Sequence, residues 1–302
     1  MVNSREYNFG RKVEPLTNDL IPQENFRLAR GICDPVSVTI AVEYKSRFCH
    51  HAMGLLIAIA DAHFLVTCRH AVNDVVSKGG GLWVCDDTSF TAKPLTATFL
   101  FAKDTRYDIA IMKLPEEFLP YFSLHKFARA VDTHSSIQPE GISCVMSGVL
   151  ATESETWDCN VTHEDERLQY SAFIGRTTTV ETTSDSIIDG LHFLVSADNL
   201  QTTLGDSKNE AARLVKGPAS FRGLSGTPVF AVNENPFESG WYPHDFKIIG
   251  IQSAVVDLYQ EKRKVFRVMR IETVFHAIRE AFPTVGETLD KLNPVHILRR
   301  RL

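Results

Sequence analysis

Three short stretches of the chain contain residue types that could together activate a nucleophile. "GLSGTPVF" places Ser225 in a Gly-x-Ser-Gly pattern, "FLVTCRHAV" places His70 after an apolar run, and "RYDIAIMKL" places Asp108 before one. A serine hydroxyl is a poor nucleophile at neutral pH, but a histidine within hydrogen-bond reach can take its proton. A carboxylate behind the histidine then fixes the tautomer and stabilises the imidazolium.

Each of these stretches also has an ordinary structural interpretation when it is taken alone. A histidine after a strand is usually structural, an aspartate before a strand is usually a turn or cap residue, and a glycine-rich stretch is usually a turn. The combination is more informative, because the order is His70, Asp108, Ser225, with separations of 38 and 117 residues. Each residue is expected at a strand edge, where the loop ends of two β-barrels can converge.

The segments that must position these residues show the patterns of short β-strands. In "VSVTIAVEY" the apolar residues at 36, 38, 40, 42 and 44 alternate with smaller or polar ones, which predicts a half-buried strand. Further strands are predicted in "MGLLIAIA", "HFLVTC", "LWVC", "ATFLFA", "IAIMKL", "ISCVMSGVL", "QYSAFIGRTTTVE", "HFLVSA", "VKGPASFRGLSGTPVFAV", "FKIIGIQSAVVDLY" and "KVFRVMRI". A turn at "DA" separates the second strand from the third. Many short strands with turn breaks predict an all-β sandwich or barrel.

Helical patterns are confined to the two ends of the sequence. A short helix is expected in "QENFRLARG", closed by Gly31, and a longer one in "IETVFHAIREAF", stopped by Pro283. A second short helix is expected in "GETLDKL". The segment 115–140 has no clear period and is interpreted as a connection between two halves.

These motifs together resemble the trypsin-like serine peptidases of the chymotrypsin fold. The family patterns "VTAAH", "DIAL", "GDSGGPV" and "GIVSWG" correspond here to "VTCRH", "DIAIMKL", "GLSGTPV" and "GIQSAV", in the family's order. Intracellular bacterial members are the most similar in character. The resemblance implies two packed six-stranded antiparallel β-barrels with a C-terminal helix. The expected divisions are an extension over 1–34, barrels over 35–125 and 126–271, and a helical segment over 272–302.

The resemblance also implies roles for particular residues. Ser225 would be the nucleophile, His70 the general base and acid, and Asp108 the orienting carboxylate. The backbone amides of Gly223 and Ser225 would form the oxyanion hole, since glycines let the chain turn so that N–H groups point at the developing charge.

Substrate contacts are carried over from the same family patterns. Ser253 would support the aspartate, and Ser253, Ala254 and Val255 would pair with the substrate backbone as an added strand. Counting back six residues from Ser225 puts Ala219 at the base of the specificity pocket. With no acid at that base, and with Val255 narrowing its mouth, we expect cleavage after small or medium uncharged side chains.

Three positions depart from the family pattern. Leu224 replaces the aspartate that pairs with a new amino terminus in secreted relatives, so no amino-terminal cleavage is expected to be needed. Ala71 replaces a cysteine of the family's disulfide near the histidine. Thr227 replaces a glycine without removing a catalytic group.

Composition excludes several other classes of protein. The 302 residues include 32 Lys and Arg against 37 Asp and Glu, giving a net charge of −5, which does not indicate a nucleic-acid binder. The basic run at 299–301 is interpreted as a solvated tail. No secretory signal and no run of 18 apolar residues is visible, so a cytoplasmic location without membrane insertion is expected. The six cysteines are expected to be reduced.

No metal or other cofactor is expected. "CHH" at 49–51 and "CRH" at 68–70 contain ligand types, but the spacing of a four-ligand site is missing.

The sequence therefore predicts a serine endopeptidase that acts on proteins or peptides through an acyl-enzyme. Two polar stretches, "ATESETWDCNVTHEDER" and "LQTTLGDSKNEAARLVKG", are interpreted as surface loops or, alternatively, as elements that gate a cleft under the control of an activating protein partner. The alternative function is a catalytically silent peptidase fold that binds proteins.

Overall fold

Two β-sheets account for most of the part of the chain that the structure describes. The computed structural model describes residues 21–44, 47–86, 91–122, 126–134, 140–150, 156–157, 170–179, 186–197, 201–203, 213–214, 221–233, 241–258 and 261–292. The strands are β1 Ser37–Tyr44, β2 Arg47–Ile59, β3 Ala62–Thr67, β4 Leu82–Asp86, β5 Thr91–Pro94, β6 Leu100–Phe101, β7 Ala110–Lys113, β8 Ala128–Arg129, β9 Ser143–Val149, β10 Thr156–Trp157, β11 Tyr170–Thr178, β12 His192–Ser196, β13 Gln201–Thr203, β14 Arg213–Leu214, β15 Pro228–Val232, β16 Phe246–Leu258 and β17 Arg263–Arg270. The helices are α1 Gln23–Cys33, α2 Arg69–Val76, α3 Ile271–Ala281 and α4 Pro283–Leu292, and short 3₁₀ turns include Glu116–Phe122 and Ala130–Asp132.

The second sheet forms a closed six-stranded barrel. Its strands follow the order β12-β17-β16-β15-β9-β11, and β11 pairs back onto β12 through Thr177 opposite Val195. Strands β13 and β14 extend from β11 beyond the barrel. This sheet supplies the barrel that was expected to carry Ser225.

Among the described residues, the first sheet has nine strands, where six were expected. Its path is β5-β4-β1-β2-β3-β7-β6, with β8 and β10 both paired to the long strand β2. The β2–β8 pairing is parallel, and the pairings among the described residues do not join the two ends of the path. Three of its strands have no predicted counterpart: β5 is four residues long, and β8 and β10 are two residues long, which is too short for a sequence period to show.

Strand β1 is buried more completely than its alternating pattern predicts. Residues 37–41 are buried on both faces of the strand. The polar side chains on its second face find partners inside the protein. The Ser37 hydroxyl donates a hydrogen bond to the Cys33 carbonyl at 2.8 Å, and Thr39 contacts the Met53 sulfur. The prediction of a half-buried strand was therefore wrong for its first five residues.

The helices predicted at both ends of the sequence are present, and the structure contains one further helix that was not predicted. Helix α1 runs through Gly31 to Cys33 instead of ending at the glycine, while α3 stops just before Pro283 as predicted. Helix α4 confirms the second short C-terminal helix. Helix α2 was not predicted, because its eight residues follow a strand directly and cover only about two helical turns.

Three apolar clusters hold this arrangement together. One fills the closed barrel, one fills the curve of the first sheet, and the largest lies between the two sheets and under helices α1, α3 and α4. Leu55 and Phe64 enter the largest cluster from the first sheet, Val145 and Phe230 from the barrel, and Val274 from α3. The two halves therefore share a core.

The expectations about cysteines, membrane spans and polar stretches can be compared with the described residues only. The five described cysteines are free thiols, and Cys159 lies outside the described residues. Among the helices of the described chain, none is long and apolar enough to cross a membrane. Most of the two stretches interpreted as loops, and the basic run at 299–301, lie outside the described residues. The described parts of the stretches form the short strands β10, β13 and β14 instead of loops.

Candidate active site

His70 lies in the first turn of α2, directly after the buried strand β3. The chain leaves β3 in extended geometry at Cys68 and then turns into the helix. Thr67, the last residue of β3, is fixed because its hydroxyl donates to the Met53 carbonyl at 2.7 Å. The side chain of His70 is 44% exposed, so the imidazole stands at the surface on a rigid support.

Asp108 holds His70 through two hydrogen bonds, one to its backbone and one to its imidazole. The backbone N–H of His70 donates to Oδ1 at 3.0 Å, and Nδ1 donates to Oδ2 at 2.7 Å. The hydrogen bond to Asp108 raises the pKa of His70, although burial works against it. Burial alone would raise the pKa of the Asp108 carboxyl, but the bonds and charge of His70 outweigh it and lower that pKa. The carboxyl group is therefore ionised at neutral pH and acts as an acceptor.

Ser225 completes a continuous line of hydrogen bonds. Its Oγ lies 3.1 Å from Nε2 of His70. Because Nδ1 donates to Asp108, Nε2 of the neutral imidazole is the acceptor, and the serine hydroxyl donates to it. The structure thus brings together the three residues that the sequence singled out, across separations of 38 and 155 residues from His70.

The turn that carries Ser225 is wedged between the two sheets. The Ser225 carbonyl accepts from the Met53 N–H of β2 at 2.8 Å, and the Gly226 N–H donates to Gln252 of β16 at 2.8 Å. Gly223 and Gly226 both have positive φ, at 92° and 91°. A Cβ at Gly226 would lie 2.0 Å from the Met53 carbonyl oxygen, so this position needs glycine for both its backbone angle and its close contact.

Replacing Gly226 by alanine should therefore destabilise the protein by about 3 kcal/mol, through the positive φ and the contact with Met53. Urea unfolding of the two proteins measures this difference. Gly31→Ala is the matched control, because Gly31 lies inside α1 with nothing within 4 Å of the added Cβ. The control should be neutral or slightly stabilising. Equal unfolding midpoints for Gly226→Ala and the unmodified protein would contradict the conclusion that this position requires glycine.

The expected oxyanion donors, the backbone amides of Gly223 and Ser225, belong to the turn that carries the nucleophile. Neither the Gly223 nor the Ser225 amide has an acceptor among the described residues. The Gly223 carbonyl accepts from Nε2 of the buried His50 at 3.0 Å. Burial lowers the pKa of His50 to about 4, so it is neutral at pH 7 and fixes this turn as a donor. Sequence reasoning missed this role of His50.

The ligand-type residues in "CHH" and "CRH" serve other purposes. His51 donates from Nε2 to the Ala71 carbonyl at 2.8 Å. The Cys68 thiol lies close to His70 and Asp108, with ligand atoms within 4.8 Å of one another. However, its Sγ donates to the Gln252 carbonyl at 3.2 Å, and burial raises its pKa well above the usual value. A protonated thiol is a poor metal ligand.

Ser253 does not contact Asp108 in the way that the family resemblance implied. Its hydroxyl donates to the Arg267 carbonyl at 3.1 Å and accepts from Arg267 Nε at 3.0 Å. Nη2 of Arg267 lies 3.8 Å from Oδ2 of Asp108, and both side chains are 17% exposed. An arginine on β17 therefore stands behind the aspartate, where a serine was expected.

The other expected substrate contacts are only partly described. Ala254 is half-buried and lines a cleft of about 630 Å³ next to His70 and Ser225. Val255 is also half-buried but packs against the apolar cluster inside the barrel. Ala219, the expected pocket base, lies outside the described residues.

Comparison with known proteins finds distant structural similarity only. No family model and no curated protein matches the chain. Among solved structures, the apo MamO protease domain from Magnetospirillum magneticum has a TM-score of 0.45 and 13% identity over 81% of this chain and 97% of that chain. The serine protease domain of the Sesbania mosaic virus polyprotein has a TM-score of 0.42 and 12% identity over 80% and 90%.

Proposed function

We propose that this protein is a serine endopeptidase of chymotrypsin-like architecture, in which the nine-stranded sheet stands at the position of the first of the two expected barrels. The observation that carries the proposal is the line of hydrogen bonds from Asp108 Oδ2 through His70 to Ser225 Oγ, at 2.7 and 3.1 Å. Both distances are within the range needed for proton transfer. The three side chains border one cleft at the junction of the two sheets.

The geometry supports acyl transfer in two stages. Ser225 Oγ attacks the scissile carbonyl carbon while His70 Nε2 takes its proton, and the carbonyl oxygen becomes negative. The amides of Gly223 and Ser225 would donate to that oxygen. His70 then gives the proton to the leaving amine as the C–N bond breaks, which leaves an acyl-serine. Water, deprotonated by His70, attacks this ester and releases the acid and the free serine.

The proposed substrate is an extended protein or peptide segment. Strand β16 pairs with β15 as far as Ile251, and Gln252 bonds to the turn before β15. From Ala254 to Leu258 the strand pairs with β17 on its other side. The second edge of this part of β16 has no partner strand among the described residues, and it begins beside Ser225. An extended chain could add there by backbone hydrogen bonds.

No amino-terminal cleavage is required under this proposal. Leu224, at the position of the family's pairing aspartate, is fully buried within the barrel cluster. Apolar packing of Leu224 and the hydrogen bond from His50 to Gly223 hold the turn instead. An ion pair with a new terminus has no role in this arrangement.

A fluorophosphonate probe tests the proposal directly, because it reacts only with an activated serine. We expect covalent labelling of the protein with its amino terminus intact, as checked by mass spectrometry, and none in the Ser225→Ala variant. Ser77→Ala, which removes an exposed serine after α2, is the matched control and should label normally. A folded protein that fails to label would overturn the proposal and favour the silent binding module.

A further inference from the structure

His192, at the start of β12, is a buried side chain that the proposed mechanism does not use. It is 6% exposed, and its Nδ1 accepts the Ile188 N–H at 2.9 Å. Burial lowers the pKa of His192 to about 4, with the nearby Arg267 charge contributing. The ring is therefore neutral at pH 7, and because Nδ1 is an acceptor, the proton resides on Nε2.

The Nε2–H of His192 lacks a hydrogen-bond partner. It is a buried donor with no acceptor among the described residues, and the side chain lines the cleft that contains Ser225. Buried donors are nearly always satisfied, so an unpaired one at a cleft is a candidate ligand contact. The ligand group that it needs is a hydrogen-bond acceptor.

The charges of the same cleft favour an acceptor that is negative. Its lining contains Arg69, Arg106 and Arg267 against a single carboxylate, Asp108, although the whole chain has a net charge of −5. Arg106 is paired with Asp104. Arg69 donates to a backbone carbonyl, and Arg267 donates to Ser253 and to the Ser186 carbonyl while its Nη2 lies 3.8 Å from Asp108.

We propose that this wall of the cleft is a subsite for an acidic side chain of the substrate, lying along Ala254 and close to the cleaved bond. The carboxylate accepts from Nε2 of His192 and lies in the positive field of Arg267. The inference rests on the proposed peptidase function, whose substrate class it narrows. It is separate from the pocket for the residue before the cut, where an uncharged side chain is expected.

The first measurement is cleavage of a positional-scanning peptide library. We expect one position near the cleaved bond at which glutamate or aspartate is preferred about tenfold over glutamine or asparagine. His192→Phe keeps the ring volume and removes the donor, so this preference should fall to about threefold or less. His63→Phe, on β3 and outside the cleft, is the matched control and should keep the full preference.

A binding measurement separates failure of the inference from failure of the proposed function. Ser225→Ala protein is titrated with fluorescein-labelled, alanine-rich hexapeptides that carry one glutamate or one glutamine at each position in turn. Tighter binding of a glutamate peptide, lost at high salt, supports the subsite even if the unmodified protein cleaves nothing. Equal binding of both series, or tighter binding of glutamine, overturns it without any need for a folded His192 variant.

Discussion

Replacement of Ser225 by alanine should lower kcat for a peptide substrate by about 10⁶-fold, and His70→Ala should have nearly the same effect. The reason is that the two side chains work as one unit. Without the imidazole, the hydroxyl 3.1 Å from Nε2 has no base to receive its proton. Without the hydroxyl, the base has no nucleophile to activate. The double variant should therefore be no slower than either single variant, as steady-state turnover will measure.

Two outcomes would contradict this prediction. If Ser225→Ala kept more than about a thousandth of the activity, a different nucleophile would be responsible. If the two losses multiplied in the double variant, the residues would act independently, which the single hydrogen-bonded line does not allow. Ser77→Ala provides the control for preparation and folding.

Replacement of Asp108 by asparagine should lower kcat by about 10⁴-fold while the fold is retained. The carboxylate accepts from Nδ1 at 2.7 Å and from the backbone N–H of His70 at 3.0 Å. An asparagine amide that donates to Nδ1 forces the proton onto Nε2, where it blocks acceptance from Ser225. The substitution also leaves Arg267 without the carboxylate that lies 3.8 Å from its Nη2.

The same substitution should move the pH profile. A protonated His70 cannot act as a base, so kcat/KM should rise as the pH increases through its pKa. The hydrogen bond to Asp108 raises that pKa in the unmodified protein. In Asp108→Asn the raising influence is reduced, so the acid limb should shift to lower pH while the maximum rate falls. An acid limb at the same pH in both proteins would contradict the pairing.

Local sequence patterns were sufficient for the main strands, whereas the three residues of the line were identified from the order of their motifs and the family resemblance. The apolar run of β3 ends shortly before His70, and that of β7 begins shortly after Asp108, so these strand edges could be located from the pattern. Helix α2 and strand β10 were missed, because eight and two residues are too short for a period to stand out.

The supporting residues of the site could not be found in the same way. Arg267 alternates with apolar neighbours in "KVFRVMRI" and looks like any exposed strand residue, yet its side chain is 17% exposed behind Asp108. His192 and His50 were equally ordinary in sequence. The role of His50 depends on a distant segment, since it donates to the Gly223 carbonyl, whereas His192 accepts from Ile188 four residues away and is distinguished by its burial beside the cleft. Such contacts are set by tertiary packing rather than by local propensity.

The Met53 N–H of the first sheet holds the Ser225 carbonyl, so the reactivity of Ser225 depends on how the two sheets are aligned. Nucleophile and base belong to separate halves, so neither half contains a working centre by itself. A substitution deep in the shared core could shift one half relative to the other and abolish catalysis, even with every reactive side chain intact. Loss of activity far from the cleft would then report on alignment, not on the reacting groups.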